Sequence, residues 1–232
     1  MLEETFEQFY AIPPSAKIAI NNGDGAVMVY GSNLNEMRVH AVKKAYSRAR
    51  LAQIAVSVDL KAGSVSIATK FPPKHKWGLF DRSGTVDYTI VVPATTDVSS
   101  LDLDAGEILL DGMRGRTTRA RLGEGRMFAR NCFTNLDLAI RRGNLIMWYD
   151  WWEQSKFSVE ASITQGNACA YLPSDAAFHL LVKAEGKISS DFESTAPASN
   201  GMQIDALVNG GGDATIKVRV AKGNIKIVES NP

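Results

Sequence analysis

Asp102, Asp104, Glu107 and Asp111 form the densest acidic run of the chain. Two carboxylates flanking a glycosidic bond, one as acid and one as base or nucleophile, are what sugar hydrolysis needs. This run, however, alternates with Leu101, Leu103, Ile108 and Leu110. A period of two puts the acids on the outer side of strands, facing solvent. No other catalytic set assembles. Gly-x-Ser-x-Gly is absent, and Ser83 before Gly84 lacks the strand-turn-helix setting of a nucleophile elbow. Gly210-Gly211-Gly212-Asp213 leads into Ala214-Thr215-Ile216, a strand rather than a helix, so it reads as a turn and not a phosphate cradle. His40, His75, His179, Cys132 and Cys169 show no metal-ligand spacing. No catalytic residue, metal ligand or cofactor is expected.

Basic residues gather at Arg114, Arg116, Arg119, Arg121, Arg126 and Arg130, and again at Arg38, Lys43, Lys44, Arg48 and Arg50. Such clusters suit a polyanion. Over the whole chain, 26 basic side chains meet 25 acidic ones, which gives no reason to expect nucleic acid. With 45% hydrophobic and 22% charged residues the composition is that of a folded protein. No run approaches the roughly 20 apolar residues of a membrane helix. The opening Met1-Leu2-Glu3-Glu4-Thr5-Phe6 lacks the basic and apolar regions of a secretory signal.

The elements that carry these residues announce themselves through glycine. One phrase recurs: apolar-x-apolar-x-x-Gly-x-apolar-x-apolar. Around Gly106 it is Leu101, Leu103, Ile108 and Leu110; around Gly143, Leu138, Ile140, Leu145 and Met147; around Gly223, Val218, Val220, Ile225 and Ile227. Gly63, Gly125 and Gly166 follow it, and Gly25 and Gly186 match in part. From Gly63 through Gly84, Gly106, Gly125, Gly143 and Gly166 to Gly186 the steps are 21, 22, 19, 18, 23 and 20 residues. A nearly constant period near 20 predicts an all-β stack, a β-solenoid or β-helix-like fold with each glycine at a corner. The alternative is an antiparallel β-sandwich, in which each glycine is a hairpin turn and Leu60 faces Val65 and Val58 faces Ile67. No linker divides the chain, so residues 1–232 read as one solenoid domain, with a short helical excursion near 43–53. Loops are expected at 72–78 and 197–201.

Register follows from the corners. Asp102 and Arg121 share one position and Glu107 and Arg126 another, so stacking would pair them as ions about 5 Å apart at the backbone. Cys132 and Cys169 fall about two repeats apart, beyond disulfide reach, and are expected to be free thiols.

Asn21-Asn22-Gly23-Asp24-Gly25-Ala26-Val27, Val86-Asp87-Tyr88-Thr89-Ile90-Val91-Val92-Pro93 and the serial glycine corners resemble the bacterial putative adhesin family, β-helix-like domains of unknown function. The resemblance runs from about Phe6 to Ile227. It implies a non-catalytic scaffold or binding module, extracytoplasmic or at the cell surface, and supplies no catalytic residue. A polysaccharide-acting enzyme on a β-helix is the alternative function.

The third residue past each corner should point outward. In the middle repeats it is Leu109, Phe128, Ile146 and Cys169, whereas Ser66, Ser189 and Lys226 occupy it in the outer ones. Trp148 and Tyr171 lie two residues farther along, and Trp151 and Trp152 complete the aromatic cluster. An apolar stripe on an outer face needs a cover. The 43–53 helix, the 74–80 loop, a second copy in a homo-oligomer, or a protein or carbohydrate ligand would each provide one. Leu109, Phe128, Ile146, Trp148, Tyr171, Trp151 and Trp152 are therefore the candidate binding residues.

Overall fold

A computed structural model describes residues 1–72, 84–192 and 202–230. Among them, fifteen strands and one short helix follow in order: β1 (Leu2–Ala11), β2 (Lys17–Ser32), β3 (Glu36–Ala45), α1 (Arg48–Gln53), β4 (Ala55–Lys61), β5 (Ser64–Lys70), β6 (Thr85–Pro93), β7 (Asp97–Asp111), β8 (Thr117–Arg130), β9 (Asn135–Trp148), β10 (Ser158–Pro173), β11 (Phe178–Ala184), β12 (Ile188–Ser190), β13 (Gln203–Val208), β14 (Thr215–Lys222) and β15 (Ile225–Ser230). All fifteen strands belong to one mixed, open sheet. The fold is all-β. The expected loops, apart from Pro72, lie outside the described residues, as does Ser83.

The middle of the sheet is parallel: β2, β7, β8, β9 and β10 run side by side. Each of these strands changes parity halfway. In β8, Thr118, Ala120 and Leu122 are buried before the glycine, and Met127 and Ala129 after it. A flat strand would send those two sets to opposite faces. Both reach the same core because the strand bends at Gly125, where φ is +136°. The bends align. Gly25 pairs with Gly106, Gly106 with Gly125, Gly125 with Gly143 and Gly143 with Gly166, and a Cβ on Gly106, Gly125, Gly143 or Gly166 would fall on the carbonyl oxygen of the preceding glycine. This column is a crease that folds the sheet into two arms around one core. Leu103, Ile108, Leu110, Leu138, Ile140, Leu145, Val218, Val220, Ile225 and Ile227, the residues whose pattern points them inward, are all at most 2% exposed.

Beside the crease, the residue after glycine is asparagine in β9, in β10 and at the junction between β14 and β15. The Asn144 side-chain oxygen accepts from the Asn167 backbone N–H at 3.1 Å, and that of Asn167 from the Asn224 N–H at 3.0 Å. The Asn224 oxygen in turn accepts from the Lys187 N–H at 2.8 Å. The ladder adds side-chain ties between neighbouring repeats beside the bend.

At both ends the sheet forks, and antiparallel pairs appear. Beyond β2, one arm continues through β6 and β3 to β1, the other through β5 to β4. Beyond β10, one arm continues through β14 and β11 to β13, the other through β15 to β12. Gly63 departs from the other corners: it is the turn of a β4–β5 hairpin, with Leu60 opposite Val65 and Val58 opposite Ile67. The hairpin sets Ser66 beside Ala19, on the other arm from the stripe. The helix is also shorter than the expected 43–53. Lys43, Lys44 and Ala45 remain in β3 because they pair with β1, and Lys43 and Lys44 also with β6. Ser47 then caps α1, accepting from the Arg50 N–H at 3.2 Å, and α1 buries Leu51 at the end of the core.

Candidate functional site

The acidic run lies on the outer face, where arginines stand beside Asp102, Glu107 and Asp111. Arg126 and Glu107 approach to 3.1 Å, and Arg121 and Asp102 to 3.9 Å, in the register the corners predict. Arg130 reaches Asp111 at 4.0 Å and Asp150 at 2.7 Å, Arg119 reaches Asp137 at 3.7 Å, Arg114 reaches Glu153 at 2.6 Å and Arg116 reaches Asp97 at 2.7 Å. Each arginine of the basic run thus has an acidic neighbour. In the second cluster Arg38 pairs with Glu7, Lys43 with Glu4 and Lys44 with Asp87. Ion pairing within and between neighbouring repeats accounts for the basic run and for Arg38, Lys43 and Lys44; Arg48 and Arg50 lie on α1. Among the described residues no group of three or more His, Cys, Asp or Glu side chains is placed to hold a metal ion.

The apolar residues past the crease do come together. Leu109 sits beside Phe128, Phe128 beside Ile146 and Ile146 beside Cys169, with Met28 extending the row past Leu109. All five are half-buried. At strand spacing the row runs about 19 Å. The equivalent surface on the other arm carries Asp102, Arg121, Ala139 and Ser162. One outer face is therefore polar and charged, and the other has an apolar spine.

Trp148 and Tyr171 flank that spine on adjacent strands. Their rings stack with centroids 4.6 Å apart and planes at 27°, and Trp148 is 42% exposed. The indole N–H donates to Asp150 Oδ1 at 2.9 Å. Asp150 Oδ2 accepts from Asn131 Nδ2 at 2.7 Å and from the Arg130 guanidinium at 2.7 Å. These donors, the Asn131 amide first, outweigh partial burial and hold the carboxyl below its usual range. Trp148 is fixed in place by stacking and by its hydrogen bond, so presenting it costs little side-chain entropy.

The other tryptophans separate. Trp151 is 46% exposed on the turn after β9, its N–H donating to Glu153 at 3.0 Å. Trp152 turns inward, packing with centroid separations of 5.4 Å on Phe157 and Phe178 and 5.5 Å on Tyr149. Together with Phe133 these rings close the core along the nine-residue turn between β9 and β10, residues 149–157. Trp152 thus stands apart from the outer face that carries the spine. The sequence cluster is divided because the chain leaves the strand after Trp148 and the alternation lapses.

α1 packs on β1 and β3, away from the spine, and the 74–80 segment lies outside the described residues. Met28 and the asparagine ladder are the parts that the candidate residues omit. The signal for the ladder was present as Gly143-Asn144, Gly166-Asn167 and Gly223-Asn224.

Comparison with protein-family models finds no match, and comparison with curated proteins finds none. Solved structures do align. A putative cell adhesion protein from Clostridium sporogenes is similar over 98% of this chain and 100% of its own, at 15% identity and a TM-score of 0.55. A putative adhesin from Bacteroides fragilis aligns over 97% of both chains at 11% identity and a TM-score of 0.31. A putative lipid binding protein from Parabacteroides distasonis aligns over 98% of this chain and 97% of its own, at 13% identity and a TM-score of 0.33. The likeness to the Clostridium sporogenes protein is one of fold, over 98% of this chain.

Proposed function

We propose that this chain is a non-catalytic binding module, a single-domain β-solenoid that engages a protein partner at the cell surface through its apolar outer spine. The solenoid reading rests on the parallel in-register strands and the glycine column. The adhesive reading draws on the fold shared with the cell adhesion protein and on the contrast between the two outer faces. The observation that carries it is the row Met28, Leu109, Phe128, Ile146 and Cys169, flanked by the fixed Trp148–Tyr171 pair. A half-buried row of mixed apolar side chains matches an apolar strip on a protein better than a sugar, which needs open aromatic faces and converging hydrogen bonds.

The test is the double substitution Phe128→Ser with Ile146→Ser. Replacing half-buried outer residues should leave melting nearly unchanged, within about 1 kcal/mol. Beads coated with the parent protein should adhere to epithelial-cell or bacterial layers, and beads coated with the variant should not. Equal adherence, or parent beads that do not adhere, would refute the reading. A stability loss on the order of 2–5 kcal/mol would show instead that the spine is covered from within.

A further inference from the structure

The sheet ends on one side in β1, whose ten residues pair without interruption with β3. Among the described residues no strand lies on its other edge. It is the longest of the edge strands, the others being β4, β12 and β13. Natural edges are blunted by proline, bulges or charged side chains, lysine above all. β1, LEETFEQFYA, has no proline, bulge or lysine, and its only charges are Glu3, Glu4 and Glu7. Its face toward the core carries Leu2, Phe6 and Tyr10; Leu2 is 39% exposed and the two aromatic rings are only partly buried against the core. Phe9, on the opposite face, is 57% exposed.

The charge on β1 is already satisfied. Glu4 pairs with Lys43 at 2.6 Å, Glu7 with Arg38 at 2.6 Å and Glu3 with Lys44 at 3.9 Å. Each carboxylate thus has a cation of its own chain nearby, which lowers the net charge of the edge without removing the repulsion between carboxylates set directly opposite one another.

We infer that β1 pairs antiparallel with β1 of a second copy, joining two sheets across a two-fold axis. Two registers keep nine residues paired while joining core face to core face. One sets Glu7 directly opposite Glu7, which is unfavourable. The other sets Phe6 opposite Phe6, Leu2 opposite Tyr10, Glu4 opposite Gln8, Glu3 opposite Phe9 and Thr5 opposite Glu7. It contains no like-charge pair, and it gives Phe6 and Tyr10 further apolar neighbours on their exposed side. Registers shifted by one residue turn a core face beside an outer face; the longest of them leaves Phe6 opposite Glu7 and Tyr10 opposite Glu3. The sequence of β1 therefore selects one dimer. Because outer face continues into outer face, both apolar spines lie on the same side of the joined sheet, as bivalent adhesion requires.

Sedimentation velocity should show a dimer, and cysteine scanning should fix its register. In a Cys169→Ser background, Phe6→Cys brings two Cα atoms to about 4.5–5.5 Å, within disulfide range. Thr5→Cys leaves its copies offset by two residues, roughly 8 Å apart and out of range. Mild oxidation should link the first variant and not the second. Gln8→Glu, an exposed change, sets like charges opposite Glu4 twice and should weaken the dimer roughly tenfold, whereas Gln8→Lys should strengthen it. A protein that is monomeric up to its solubility limit, equal linking of both cysteines, linking of neither, or a Kd indifferent to both Gln8 variants overturns the inference.

Discussion

Replacing Gly125 by alanine tests the crease, because Gly63 offers a matched control. Gly125 has φ +136°, and the added methyl would fall on the Gly106 carbonyl, which is backbone and cannot swing aside. Gly63 has φ +71°, and a methyl there would meet no atom within 4 Å, so its alanine bears only the cost of the left-handed backbone. That cost is about 1–2 kcal/mol. At Gly125 the dihedral strain is about 1–3 kcal/mol. Displacing the Gly106 carbonyl from its ladder adds about 1–3 kcal/mol for one unsatisfied group. Gly125→Ala should therefore lose about 4 kcal/mol. At about 2–4 °C per kcal/mol for a chain of this size, that is a fall of roughly 8–16 °C in Tm. Thermal unfolding followed by circular dichroism at the β-sheet minimum measures both variants. If Gly125→Ala melts no lower than Gly63→Ala, neighbouring glycines do not touch as described and the crease is wrong.

Ile140→Ala, at a site 2% exposed, should cost about 2–5 kcal/mol in urea denaturation; melting like the parent would place Ile140 on the wrong face. Asp97 is buried, which raises its pKa, but hydrogen bonds from the Arg116 side chain and N–H and the Thr117 N–H outweigh this and hold its carboxyl below the usual range. A depressed carboxylate stabilises the fold above its unfolded pKa and loses that contribution as pH falls through the folded value. Asp97→Asn should then cost about 1.5–3 kcal/mol at neutral pH, and the gap should close in urea titrations taken below about pH 4; a gap independent of pH refutes the pairing. Both cysteines are free thiols, and burial pushes Cys132 up to about 12 while Cys169 is half-buried. Iodoacetamide on the native protein should label Cys169 alone, and peptide mapping that finds Cys132 equally labelled would refute its burial.

Much of the middle of the sheet was legible because a parallel, in-register stack repeats one physical constraint. Each glycine must bend the strand, and each flanking apolar pair must reach the core, so Leu101, Leu103, Ile108 and Leu110 disclose their faces by spacing alone. The Arg121–Asp102 and Arg126–Glu107 pairs follow from that register. The margins were not legible. β1 and β3 obey no glycine phrase, and their antiparallel pairing depends on partners remote in sequence, which periodicity does not encode. Gly63 carries the same phrase as Gly106 yet makes a hairpin, because both local geometries satisfy the alternation and only the neighbouring strand decides. Trp148 and Trp152 share one short aromatic stretch but part company where the strand ends. That boundary depends on the length of the turn rather than on residue type.

The repeats vary in length at one place only. From the crease to the strand end, β7, β8 and β9 each have five residues, and from strand start to crease β8, β9 and β10 each have eight. The turns between them have five, four and nine residues, so the whole difference among the 19-, 18- and 23-residue steps resides there. The length differences among these repeats thus lie on the side of the molecule where Phe133, Tyr149, Trp152 and Phe157 gather. The face bearing Leu109, Phe128 and Ile146 keeps its spacing whatever happens to those turns. Descendants of such a chain can lengthen a turn, or graft a new loop near Gln154, and leave the spine unaltered. Length change and surface recognition are thus open to mutation independently.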